Sequence, residues 1–176
     1  MIGRIAILGI LLIALIAGGA MYYLQIYAFY EEVSAEQVGN VQLTSLETGE
    51  PEAIMFESFS GIDSTSAPIR FRACFDIPAG LAALRETYVT YDAAEPLVAP
   101  GWFECFDAEA IGLALEAGEA AAFLSVENIT YGIDRVIAVM PDGRAFAWHQ
   151  INACGEVVFD GDPAPEGCPP VPERLQ

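Results

Sequence analysis

Twenty consecutive uncharged residues near the amino end, IAILGILLIALIAGGAMYYL at 5–24, limit this chain more than any other feature. The run stays uncharged through Tyr30. At about 1.5 Å of rise per residue, such a helix is roughly 30 Å long, the thickness of a bilayer's hydrocarbon core. Its far end, MYYLQIYAFY, sets Tyr22, Tyr23, Tyr27 and Tyr30 where an interfacial aromatic belt belongs. A cleaved secretory signal is the competing reading, because Gly18-Gly19-Ala20 supplies small residues after an apolar core. The apolar and aromatic stretch continues through residues 21–30, which favours a retained transmembrane anchor over residues 1–30, with 5–30 in contact with lipid. Arg4 precedes the span and Glu31-Glu32 follow it, so the amino end is expected in the cytoplasm. The rest of the chain is then expected outside; in a bacterium this is a single-pass inner-membrane protein with a periplasmic domain.

Charge lies on the far side of that span. All 25 acidic residues follow residue 30, with six of the seven arginines and no lysine, so residues 31–176 carry a net −19. Such a domain repels phosphate backbones and anionic headgroups, which excludes nucleic-acid binding. The plain reading is a solvated acidic surface. The functional reading is an electrostatic landing face for a basic periplasmic partner, with an encounter rate that falls as salt rises.

Residues 31–40, EEVSAEQVGN, are polar and weakly patterned and predict a short stalk. VQLTSLE at 41–47 and AIMFESF at 53–59 predict strands, and SGIDSTSAP at 60–68 reads as loop. In residues 69–75, Ile69, Phe71 and Ala73 alternate with Arg70, Arg72 and Cys74, the pattern of a half-exposed strand. Asp76 stands as a cap before a helix over 78–86, whose first turn tolerates Pro78. TYVTY at 87–91 predicts a strand, followed by loop. Asp107 caps a second helix that runs to about residue 117, with Ile111 and Leu115 on its apolar face and Gly118 at its end. AAFLSVE at 121–127 reads as a buried strand. In VIAVMPDGRAFAWHQ, two β-prone runs flank Pro141-Asp142-Gly143, a hairpin turn in which proline presets φ and glycine accepts a positive one. A short strand at 156–159 precedes a proline-rich tail over 160–176. The expected fold class is α+β: a mainly antiparallel sheet with about two helices over residues 41–159.

Four cysteines are present, Cys74, Cys105, Cys154 and Cys168, with no Cys-x-x-Cys pair. A zinc site advertises close ligand pairs, and a thioredoxin-like motif needs two thiols within one helical turn. An even count outside the cytoplasm instead predicts two structural disulfides, among three possible connectivities. Cys74–Cys105 and Cys154–Cys168 are preferred. The first pair joins two strand-to-helix corners that share the sequence Cys-Phe-Asp; the second pins the tail through Cys168 to the last strand. Loops of these sizes give on the order of 3 kcal/mol each.

Other chemistry has little support. His149 beside Trp148 reads as a hydrogen-bonded core or edge residue, since no nucleophile or metal-ligand set accompanies it. Asp134 and Arg135 read as a surface or sheet-edge ion pair. Asn128-Ile129-Thr130 matches a glycosylation sequon that has little meaning in a bacterium. Hydrolase, zincin, P-loop and dinucleotide glycine patterns are absent, and no cofactor or metal is expected.

The stretches MYYLQIYAFY, PIRFRACF, GWFECFDAEAIG and YGIDRVIAVMPDGRAFAWHQINACGEVVFDG together resemble an uncharacterised family of single-span proteins from alphaproteobacteria of the Rhodobacter group. The resemblance covers nearly the whole chain and implies a Gram-negative inner membrane but no activity. Some relatives carry an automatic histidine-kinase label. This chain is too short for a dimerisation helix pair plus an ATP-binding domain, and it lacks nucleotide-binding glycines.

Three functions remain as expectations. The first is a membrane-tethered acidic interaction module, an accessory or assembly subunit that meets a protein partner in the inner membrane or a basic periplasmic protein. The second is a thiol-redox or copper-handling enzyme using Cys74 and Cys105. The third is an extracytoplasmic sensor, which would have to signal through another protein.

Overall fold

The structure is a computed structural model and describes residues 2–173. The chain divides into two compact units at Glu31/Glu32. In the first, α1 (Ile2–Tyr23) is a single 22-residue α-helix, continued by a short π-helical turn at Leu24–Ala28. Its large side chains, Leu8, Leu11 and Leu15 among them, are exposed. Gly3–Ala28 is long and apolar enough to cross a membrane, and a signal sequence meets the same test.

The second unit is α+β. In chain order it contains β1 (Glu31–Val33), β2 (Gln42–Thr44), β3 (Pro51–Ala53), β4 (Glu57–Asp63), β5 (Arg72–Asp76), α2 (Leu81–Thr87) and α3 (Ala108–Glu116). It continues through β6 (Ala121–Thr130), β7 (Ile133–Val139), β8 (Arg144–Ile151) and α4 (Ala153–Phe159). Six strands form the main sheet in the order β1-β4-β5-β8-β7-β6, and β2 with β3 form a small second sheet. Every neighbouring pair from β4 to β6 is antiparallel. The hairpin turns where its sequence predicts, with Gly143 at φ 91° and Met140 N donating to Arg144 O.

Both faces of this sheet are covered. On one, Phe71, Ala73 and Phe75 of β5 join Ala145, Ala147, Ile137, Val139 and Phe123 in a core closed by Val41, Leu43 and Leu84. On the other, Cys74 lies opposite Phe146 and Arg72 opposite Trp148, under a segment that carries Phe106. The expected half-exposed strand at 69–75 is therefore corrected. As a central strand β5 is buried on both sides, and Arg72 is 4% exposed.

Other expectations also change. Residues 31–33 of the expected stalk are an edge strand beside β4. Ser60–Asp63, read as loop, lie in β4; the Phe59 ring covers Gly61, whose missing side chain makes the fit possible. The short strand expected at 156–159 is helix α4, making three α-helices among the described residues of this unit. Asn152 decides that outcome: its Oδ1 accepts from Cys154 N and Gly155 N, both at 3.0 Å, and this cap overrides the β propensity of Val157-Val158-Phe159.

Candidate functional site: buried polar anchors and an acidic cleft

The register of β7 on β8 pairs Arg135 with His149 and Asp134 with Gln150. Successive residues of a strand point to opposite faces, so each pair serves a different side of the sheet. Asp134 and Arg135 are both buried, at 5% and 6% exposure, and the expected ion pair between them is not formed.

On the first face, Arg135 Nε donates to His149 Nε2 at 3.0 Å and Arg135 Nη1 to Val38 O at 2.7 Å. Phe71 supports both, with the guanidinium 4.5 Å from its ring centroid and the imidazole 4.7 Å away. His149 Nδ1 lies 2.7 Å from Pro68 O. A carbonyl only accepts, so Nδ1 carries the proton while Nε2 takes the bond from arginine, which fixes one neutral tautomer. Burial, reinforced by the Arg135 charge, brings the His149 pKa down to about 4. Burial also draws Arg135 down to about 10, so it remains charged at neutral pH. Both imidazole nitrogens are engaged, which leaves none for general base catalysis.

On the second face, Asp134 Oδ2 accepts from Tyr91 Oη at 3.0 Å; its Oδ1 accepts from Asn128 N at 2.8 Å and Asn152 Nδ2 at 2.7 Å. Burial and this carboxylate together push the Tyr91 phenol upward in pKa. Gln150 Oε1 accepts from Trp148 Nε1 at 3.0 Å and Glu95 N at 2.9 Å, while Nε2 donates to Ala93 O at 2.9 Å. Arg72 donates to the carbonyls of Ile69 at 2.8 Å, Phe71 at 2.6 Å, Leu97 at 2.8 Å and Val98 at 3.2 Å. The irregular coil at 91–98 is thus hung on three buried side chains from the sheet. Asn152 reaches back to Asn128 as well, beside a close crossing where a Cβ on Gly155 would strike Gly132 O.

The cysteines pair as preferred: Cys74–Cys105 with Cα atoms 6.3 Å apart, and Cys154–Cys168 with 5.8 Å. The two Cys-Phe-Asp copies diverge. Phe75 enters the apolar core, whereas Phe106 lies edge-on to Phe146 and Trp148 on the opposite face. Asp107 caps α3 by accepting from Ala110 N at 3.1 Å. Asp76 is not a cap: it lies in β5 opposite Arg144, and Ile77 N prolongs the ladder to Gly143 O. The helix after it begins only at Leu81, behind Gly80 and without a side-chain cap. The tail disulfide anchors Cys168 to the first turn of α4, not to a strand. In the first unit Tyr27 packs on Tyr23 and Tyr22 with centroids 6.0 and 6.3 Å apart, while Tyr30 lies between helix and β1.

Arg72, Asp134, Gln150 and Asn152 are the anchoring residues that pattern reading missed. Their signal is visible afterwards: polar side chains set within apolar, β-prone runs. Among the described residues, no three His, Cys, Asp or Glu side chains are grouped to hold a metal ion. A cleft of about 790 Å³ runs between α3 and the coil at 90–96. A smaller apolar groove of about 380 Å³ lies between Pro68, Tyr131, Ile151 and Phe159.

These features define an α+β domain stapled by two disulfides, following an apolar amino-terminal helix, with several of its buried polar side chains anchoring coil. The chain belongs to DUF6446, a family of unknown function, whose model matches residues 41–169 and so includes all four cysteines. No curated protein and no solved structure matches it.

Proposed function

We propose that the protein is a membrane-tethered acidic interaction module outside the cytoplasm, an accessory or assembly subunit of an inner-membrane complex. The distribution of charge carries this reading. Of the 25 carboxylates, all except Asp63 and Asp134 are exposed. Two arginines, Arg72 and Arg135, are buried, and Arg144 is tied to Asp142 at 2.8 Å. The buried arginines balance the two carboxylates that are not exposed. The surface therefore keeps the strongly negative net charge of the composition, which favours encounter with a basic surface. The apolar helix provides the tether, and two disulfides suit an oxidising compartment. A histidine-kinase reading would need an accessible histidine, and His149 is 6% exposed with both nitrogens bonded.

Affinity purification of the full chain in mild non-ionic detergent tests the proposal. A stoichiometric partner is expected at low salt, with recovery falling as the Debye length shrinks from about 30 Å to about 3 Å. A clean monomer at every salt concentration would remove the reading. Topology is tested separately: alkaline phosphatase fused after Gln176 should be active, and an active reporter only in the cytosol would contradict the placement. Thiol or copper chemistry at Cys74 and Cys105 predicts instead that these cysteines cycle between oxidised and reduced forms in cells.

A further inference from the structure

We infer that the cleft between α3 and the coil at 90–96 is the docking bed for a basic amphipathic helix of the partner. This rests on the interaction-module reading and adds the place and the sequence pattern recognised. Glu109 and Glu116 of α3 form one rim, Asp92 and Glu95 of the coil the other. Among the described residues the one cation on the lining, Arg85, is turned to Ala120 O at 3.4 Å. Leu113 lies between the two helix carboxylates, four residues after Glu109 and three before Glu116, and is 60% exposed. That spacing places Glu109, Leu113 and Glu116 on a single stripe about 10 Å long. At Gly112 the bed is open, since a Cβ there would meet nothing within 4 Å.

A metal ion is not the occupant this arrangement fits, because among the described residues no three acidic or other ligating groups converge. Negative charges spread along two rims, with an exposed leucine between them, complement an elongated cation that also presents an apolar side chain. A helix with Lys or Arg seven residues apart and Leu, Met or Phe between them has that form. The coil rim is held in advance, because Gln150 bonds Ala93 O and Glu95 N while Asp134 fixes Tyr91. Preformed rims reduce the ordering cost of binding.

The test uses the full chain in non-ionic detergent and a fluorescent peptide of about 16 residues with Arg at two positions seven apart and Leu midway. Anisotropy should rise above that of empty micelles. The double variant Glu109→Gln/Glu116→Gln should weaken binding about tenfold. Gly112→Leu should weaken it comparably by filling the bed, with no loss of fold because leucine is the better helix former. Changing the peptide's leucine to alanine should also weaken it, and Glu47→Gln/Glu57→Gln, away from the cleft, should leave it unchanged. No binding above micelles, an equal loss in the Glu47/Glu57 control, or indifference to Gly112→Leu would overturn the inference. A partner that co-purifies equally with wild type and both cleft variants would sink the cleft while leaving the module reading standing. Absence of any partner would sink the module reading itself.

Discussion

The two faces of the main sheet are closed by different means. On one face, β2, β3 and α2 bring Leu43 and Leu84 onto Phe71, Phe123 and Ile137. Their backbone groups are largely satisfied within strands and helix, so apolar contact does most of the holding, and Arg135 and His149 bind the Val38 and Pro68 carbonyls beside them. On the other face, much of the cover is irregular chain between residues 91 and 107, with no ladder of its own. There the backbone groups need partners from below, which Arg72 and Gln150 provide, and Cys74–Cys105 adds a covalent tie. Regular cover is held mainly by apolar contact, whereas the irregular cover here hangs on buried polar side chains and a cross-link.

Removing the cross-link should show this contrast most strongly. Cys74→Ser/Cys105→Ser releases a separation of 31 residues and should cost about 4 kcal/mol in denaturant unfolding. The Cys154/Cys168 pair closes only 14 residues and should cost about 3 kcal/mol when removed in the same way. Next comes Arg72→Met, which deprives four carbonyls of their donor and should cost about 3 kcal/mol. Hydrogen exchange should quicken at residues 91–98 more than in β2 and α2. Equal acceleration on both faces would break the comparison.

The first face has its own polar weak point in His149. The fold holds the imidazole neutral, with the pKa moved from 6.5 to about 4 chiefly by burial. Between those values the unfolded chain binds a proton that the folded chain refuses. This contribution is therefore complete above about pH 6.5 and declines as pH falls toward 4, by on the order of 3 kcal/mol. Asp63, whose carboxyl is raised chiefly by burial, is protonated early in the fold and offsets part of the decline at its acid end. His149→Gln should flatten that limb of the stability curve; an unchanged slope would contradict the assignment. The smallest contrast lies between the Cys-Phe-Asp copies. Asp107→Ala should cost about 1 kcal/mol as a lost cap, and Asp76→Ala less than about 0.5 kcal/mol.

Sequence pattern revealed elements set by local chemistry better than the burial of polar side chains. The apolar helix, the hairpin at Pro141-Asp142-Gly143, α3 with its Asp107 cap and both disulfide pairs were legible, because each depends on local chemistry or compartment. The burial of Arg72 was not. Alternation in residues 69–75 suggests water on the arginine side, and only the coil stapled by Cys105 replaces that water with carbonyls. Asp134 and Arg135 misled for a related reason: adjacent opposite charges suggest a pair, whereas strand geometry sends them to opposite faces. Helix α4 was missed because Val157-Val158-Phe159 is β-prone, while the Asn152 cap and the covalent hold on Cys154 act from outside that run. At α3, Ile111 and Leu115 follow from the helical spacing, whereas the place of Glu109, Leu113 and Glu116 on the cleft lining depends on the fold.

Differential alkylation of protein taken directly from cells, read by intact mass, tests the stapled domain most directly. The account predicts no adduct before reduction and four after it, one for each cysteine. Adducts at Cys74 or Cys105 before reduction would contradict a permanently closed second face.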